Sequence, residues 1–326
     1  MSIRIAFAGS FSAQLAEPVR SRLTGPCDVI TDDEASIAAR LRDVDVLVSM
    51  GFSRKMADAA PKLKLVQVPG AGLERIDRSA LQAGLLLANV YGHEAGIAEY
   101  VLGAMIALTR SFVRLDRELR AGNWESQWVV GRPPPPLAHE LAGKTMVVLG
   151  LGHIGMAVAH RAAAFDMRVL AVRRDLAAAK PDSVARVVGL GRMDEVLTEA
   201  DFVVVTLPVT DATSNVFTAE RFARMKPTAY LINVARGEIV NEDALYDALA
   251  SNRIAGAAID VWYQYPKTAE ATLPATRPFH KLDNVLMTPH VSGWTDGMLD
   301  ARAAFIAENI ERVFRGELPL NAIDPL

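Results

Sequence analysis

A chain of 326 residues with 51% hydrophobic side chains holds more apolar surface than one ordinary core takes up, so two domains are expected. Its 35 basic and 38 acidic residues leave a formal charge of -3, which excludes the basic footprint of a nucleic-acid binder and an acidic tail. One cysteine, Cys27, excludes an internal disulfide, and six histidines without HxxxH spacing give no metal site.

The chain opens on MSIRIAFAGS, where Ile3, Ile5 and Phe7 alternate as in a strand, without the basic start and long apolar run of a signal peptide. No uninterrupted apolar stretch elsewhere reaches the ~18 to 20 residues of a membrane span, so a soluble, cytoplasmic protein in a reducing compartment is expected. Short β-branched runs at 3–7, 44–48, 65–68 and 85–90 alternate with segments of helical spacing. That alternation predicts a parallel sheet covered on both faces. A long helix is expected over 95–115, followed by an irregular crossing that contains four consecutive prolines at 133–136.

From Lys144 the alternation restarts. TMVVLG reads as a buried strand, 154–165 as a helix with a stripe of Ile154, Val158, Ala162 and Phe165, and RVLAV as the next strand. Further strands are expected at 202–207, 229–233, 254–259 and 285–288, making a unit of six. The last helix, 296–315, aligns Ala303, Ile306, Ile310 and Val313 and finds no strand left to pair with in the second unit. It is therefore expected to return to the first. The fold class predicted is α/β, with two doubly wound parallel-sheet domains: 1–98 with 295–326, and 99–294.

Behind the strand TMVVLG stands Gly150-Leu151-Gly152-His153-Ile154-Gly155, with a helix opening directly after it. Strand, glycines and helix in this order suit a dinucleotide pyrophosphate: Gly150 for the tight turn, Gly152 for close backbone approach, Gly155 for helix-on-strand packing. His153 and Ile154 lie in the same turn, and His153 reads as an exposed filler. About 20 residues on, where an acidic side chain would bind the ribose of NAD, the chain has Arg173 and Arg174. An arginine pairs with a 2′-phosphate, so NADP is favoured over NAD, with Asp175 as the alternative ribose acceptor.

NVARGEIV (233–240), AAIDVWYQYP (257–266) and TPHVSGW (288–294) each follow a predicted strand, at the edge where doubly wound sheets bind ligands. Reduction of a 2-oxo acid needs a cation on the carboxylate and carbonyl and a proton donor for the developing alkoxide. Arg236 and His290 are of the right chemical type. Read alone, a salt-bridged surface arginine and a capping histidine are the alternatives.

Together with Val68-Pro69-Gly70-Ala71-Gly72, Ala98-Glu99, Thr206-Leu207-Pro208, Met225-Lys226-Pro227, Asp260-Val261 and Pro289-His290, these segments make nearly the whole chain resemble the D-isomer-specific 2-hydroxyacid dehydrogenase family. The resemblance implies a flavodoxin-like substrate domain, a Rossmann coenzyme domain and an active site in the cleft between them. It also implies a small 2-oxo or D-2-hydroxy acid substrate of the glyoxylate or hydroxypyruvate kind. Arg236 would bind the substrate carboxylate and carbonyl, His290 would be the acid/base, and Ala71 and Gly72 would offer amides to the carboxylate. Asp260 would contact the nicotinamide side, and Pro208 would line the cofactor cleft beside Leu207. Val234, Ala235, His290 and Gly293 complete the expected cofactor contacts, and two subunits would pair through their coenzyme domains.

Most relatives carry Glu five residues after the aspartate, bonded to the histidine; here Tyr265 stands there, beside Gln264. A neutral partner orients an imidazole without stabilising imidazolium, so His290 is expected to titrate lower than beside a glutamate. Formate dehydrogenases also lack that glutamate and share the Asp260-Val261-Trp262 start, but their substrate-holding asparagine is matched here by His93. His93 is a candidate substrate contact, or a cap for the following helix. Trp262, Tyr263 and Trp294 either wall the substrate side or pack, and Glu99 is expected to be a buried structural carboxylate. A formate- or phosphite-type dehydrogenase and a non-enzymatic dinucleotide-sensing corepressor remain as alternatives.

Overall fold

In the computed structural model, which describes residues 2–323, the β-branched runs become two sheets in which every strand pairing is parallel. The chain divides into two units: one runs to His93 and resumes at Thr295, and the other is Glu94–Trp294.

The first unit holds β1 (Ile3–Ala8), β2 (Cys27–Asp32), β3 (Val46–Ser49), β4 (Leu65–Gln67) and β5 (Leu86–Ala88), ordered β2-β1-β3-β4-β5 as in flavodoxin. The sequence reading missed β2. CDVITD is an edge strand with polar residues at Asp28, Thr31 and Asp32, and it keeps no side chain fully inside. The helix Asp296–Phe314 buries Ala303, Ile306, Ala307 and Ile310 against Ile5, Phe7, Val46 and Val48 of this sheet. That apolar face is what brings the C-terminal segment back to the first unit.

The second unit holds β6 (Thr145–Leu149), β7 (Arg168–Val172), β8 (Arg186–Val188), β9 (Phe202–Val205), β10 (Tyr230–Asn233), β11 (Gly256–Ile259) and β12 (Val285–Met287). Their order, β12-β11-β10-β9-β6-β7-β8, is the Rossmann arrangement with one strand added, and its direction of winding reverses between β6 and β9. The sheet has seven strands where six were expected, because the edge strand β8 is only three residues long. On β6, Val147 and Leu149 enter one core layer and Met146 and Val148 the other. Each such fully buried aliphatic side chain contributes about 1.5–3 kcal/mol.

Three expectations need correction. The helix foreseen over 95–115 is two helices, Glu94–Thr109 and Phe112–Arg120, bent by 56°. Ser111 between them is left-handed at φ 51, and the Thr109 hydroxyl donates back to the Met105 and Ile106 carbonyls, an interaction that bends helices. Glu99 is exposed and stands 4.0 Å from Arg161, because Ala95, Glu99 and Gly103 share the outer stripe of their helix while Ala98, Val101 and Met105 face in. Phe165 is 44% exposed because its helix stops at Ala163. Among the described residues no single helix is long and apolar enough to cross a membrane. The bent pair passes on length and composition together, and the buried face of its first helix lies in the core of the second unit.

Candidate active site

Because all seven strands of the second unit run the same way, the segments after β6, β7, β9, β10, β11 and β12 emerge along one edge of the sheet. The glycine turn follows β6. Gly150 has φ 105, and a Cβ there would lie 2.9 Å from the Thr206 and Leu207 backbone; one on Gly155 would lie 2.0 Å from the Gly150 carbonyl oxygen. Thr206 locks the turn by donating to the Gly150 carbonyl (2.6 Å). At Gly152, by contrast, a Cβ would meet nothing within 4 Å. The helix His153–Ala163 starts there with no side chain capping its first turn. Open space against uncapped amides is the cradle a pyrophosphate fits. His153 is exposed and Ile154 half-buried at its rim; Leu207 is half-buried and Pro208 exposed on the neighbouring strand end.

After β10 the Asn233 side chain accepts from the Ala235 amide (3.1 Å) and donates to the Arg236 carbonyl (3.0 Å), folding Val234 and Ala235 inward and carrying Arg236 outward. The turn presses on the segment after β11 so closely that a Cβ on Gly237 would stand 2.6 Å from the Trp262 carbonyl oxygen. The half-buried Arg236 guanidinium bonds its neighbour's carbonyl at Ala235 (2.7 Å).

After β12 the chain bends back at His290, a non-glycine residue at φ 58. Asp260, fully buried at the end of β11, holds that bend: its carboxylate accepts from the Thr288 hydroxyl (2.6 Å) and from the Val291 and Ser292 amides (2.9 Å each). Asp260 thus fixes the 288–292 segment with three accepted hydrogen bonds, two on Oδ1 and one on Oδ2. Gly293 is half-buried just beyond.

The Tyr265 hydroxyl lies 2.8 Å from His290 Nδ1 and also accepts from the Trp262 amide (3.3 Å). Loss of water around the ring and the nearby Arg236 charge lower the pKa of His290, and the Asp260 charge opposes them. Arg236 and His290 are thus near enough to feel each other. Burial likewise raises the pKa of Tyr265, keeping it a neutral hydroxyl. Trp262 and Tyr263 are packing residues: both lie against Phe279, and the Trp262 indole donates to the Thr288 carbonyl (2.8 Å). Trp294 is exposed.

The two arginines after β7 part company. Arg173 turns its guanidinium back onto the Ala178 and Ala179 carbonyls, which engages two of its donors in closing the loop. Arg174 is exposed, and Asp175 accepts from the Ala177 amide (2.9 Å). In the first unit, Ala71 and Gly72 are half-buried in the loop after β4, with Asn89 donating to the Ala71 carbonyl (2.9 Å). His93 directly precedes the helix Glu94–Thr109, and its Nδ1 lies 2.9 Å from the buried Arg302 guanidinium, which has only donors to offer.

Residues 102–292 match the model of the NAD-binding domain of D-isomer specific 2-hydroxyacid dehydrogenases. The chain belongs to this family. It is 33% identical over 321 residues to a glyoxylate reductase of Thermofilum pendens, covering 94% of this chain and 91% of that protein. It is 36% identical over 289 residues to one from Thermococcus onnurineus, covering 86% and 83%. An NADPH-dependent glyoxylate/hydroxypyruvate reductase from Sinorhizobium meliloti, solved with NADP and malonate, superposes with a TM-score of 0.79 at 26% identity, over 100% of this chain and 98% of that one. As a D-2-hydroxyacid dehydrogenase, the chain is a nicotinamide-dependent oxidoreductase of 2-hydroxy and 2-oxo acids.

Thr288, Asn233 and Tyr100 belong to the site's frame and were not singled out in the sequence. Thr288 and Asn233 sit inside the quoted motifs, whereas Tyr100 carries no local signal.

Proposed function

We propose that this dehydrogenase reduces a small 2-oxo acid, glyoxylate or hydroxypyruvate, to the D-2-hydroxy acid, with NADPH preferred. The bound nicotinamide supplies hydride chemistry at its C4. Arg236 holds the substrate carboxylate and draws charge from the carbonyl oxygen. His290, with Nδ1 committed to Tyr265, has Nε2 left to give its proton to the alkoxide. In the first unit, the amides of Ala71 and Gly72 are suited to a carboxylate, and His93 is kept as a substrate contact. The observation that carries this reading is that a guanidinium after β10 and an imidazole after β12 leave the same edge of the parallel sheet with only β11 between them, and the Arg236 charge helps lower the pKa of His290.

The preference for NADPH rests on Arg174, exposed beyond β7, and on the cofactor named for the Sinorhizobium enzyme. A homodimer formed through the coenzyme unit is supported by the segment 122–140, which has no helix or strand and leaves Trp128 80%, Val130 99% and Leu137 95% exposed. Cys27, a lone thiol, fits a reducing cytoplasm.

The test is a panel of glyoxylate, hydroxypyruvate, formate and phosphite, each with both cofactors, beside His290→Asn. Oxidation of NADPH by glyoxylate that disappears in the variant is the expected result. Turnover confined to formate or phosphite with NAD+, or retained by His290→Asn, refutes the reading. Sedimentation at micromolar concentration tests the dimer.

A further inference from the structure

One hydrogen-bonded chain in the second unit lies outside the chemistry described so far. It starts at Tyr100, on the helix Glu94–Thr109 by which the chain enters the unit, and ends at the His290 bend, just before the chain leaves it. The Tyr100 hydroxyl is 2.7 Å from Thr288 Oγ1, which in turn donates to Asp260 (2.6 Å). A hydroxyl has one proton. Thr288 spends its proton on the carboxylate, so the bond from Tyr100 has only one sense: the phenol donates and Thr288 accepts. Burial pushes the Tyr100 pKa up to about 12, which keeps that donor protonated across the working range.

The position of this relay gives it a consequence. His290 holds a left-handed backbone that a residue with a Cβ rarely adopts, so the bend depends on how its flanks are held. Asp260 grips it on both sides, at Thr288 before it and at Val291 and Ser292 after it. The two amides are fixed by the backbone, whereas the Thr288 hydroxyl is on a rotatable side chain that its own bond to Asp260 holds from one side, leaving the other side for a donor to fix. Tyr100 does so. The Trp262 indole, donating to the Thr288 carbonyl, fixes the backbone of the same residue without setting its hydroxyl.

We propose that Tyr100 is a positioning residue for the reaction, aligning His290 by setting the Thr288 hydroxyl onto Asp260 and so locking the strained bend. It touches neither substrate nor cofactor and acts only through Thr288. The proposal rests on His290 being the proton donor.

The experiment is a double-mutant cycle on the full chain with glyoxylate and NADPH. Tyr100→Phe keeps the ring and removes the donor. It is expected to lower kcat about tenfold, the effect of sub-ångström misplacement of a reacting group, with both KM values and the melting temperature nearly unchanged. Thr288→Val should lower kcat at least as much, and Thr288→Ser, which keeps the hydroxyl, should restore most of it. On the Thr288→Val background, Tyr100→Phe should have no further effect on kcat. An unchanged kcat in Tyr100→Phe, or an undiminished loss on the Thr288→Val background, overturns the proposal. His290→Asn run alongside separates the two levels: if it stays active, the reading of His290 as donor falls and takes this one with it. If it is inactive while Tyr100→Phe is at full rate, only the relay falls.

Discussion

Replacing Tyr265 with glutamate should carry reduction to higher pH. The hydroxyl sits 2.8 Å from His290 Nδ1, and a glutamate side chain reaches about 2 Å less far than tyrosine, so its carboxylate would place a full negative charge about 5–6 Å from the imidazolium. At an effective dielectric of about 20 that attraction is about 3 kcal/mol, and between fully exposed groups it falls below about 1 kcal/mol. Tyr265 is 48% exposed, which places the gain between these limits, at about 1–2 kcal/mol. Since 1.36 kcal/mol corresponds to one pH unit, the midpoint of His290 should rise by about one unit. The sign follows from the chemistry: the protonated ring is consumed in reduction, so activity is lost as pH rises through the midpoint. That midpoint lies below the ordinary imidazole value here because of burial and Arg236. In the variant, reduction should therefore persist about one pH unit further toward alkaline conditions. The assay is kcat for glyoxylate reduction followed through NADPH absorbance from pH 5 to 9 (about the range in which a histidine titrates). A variant that is active with an unmoved alkaline limb refutes the argument that the partner of Nδ1 sets the protonation of the ring.

Other consequences concern single groups. Arg236→Met, which keeps the bulk and removes the cation, should lower kcat/KM by about a hundred- to a thousandfold with NADPH affinity unchanged, read by cofactor titration. Arg174→Ala should lower the NADPH-over-NADH ratio of kcat/KM about tenfold or more, the worth of a charge-assisted bond to phosphate. Arg173→Ala should leave that ratio alone and instead lower the melting temperature, because its guanidinium ties the loop at Ala178 and Ala179. Gly155→Ala puts a Cβ 2.0 Å from the Gly150 carbonyl oxygen and should cost about 1–3 kcal/mol in stability and weaken NADPH binding, both measurable by thermal shift with and without cofactor.

What the sequence made legible is what repeats locally. The alternation through β6 and the glycines behind it are written in consecutive residues, because a buried parallel strand must be apolar on both faces and a pyrophosphate turn must be small. The same holds for the ends of β10, β11 and β12, where Arg236, Asp260 and His290 stand one motif apart from their strands. Illegible features are those settled by a partner far along the chain. Ser111 is a break only because its helix must turn there, and nothing in AMIALTRSFVRL says so. Arg173 and Arg174 are neighbours of the same type, and only the fold of the 174–180 loop decides which guanidinium stays available. Asp260 reads as a cofactor contact in its motif, and its grip on a loop some thirty residues on has no local signal. Tyr100 meets Thr288 across 188 residues. The residues that act on a reacting atom are thus drawn from short motifs at strand ends, whereas those that hold them in place are drawn from anywhere the fold brings a donor to an acceptor.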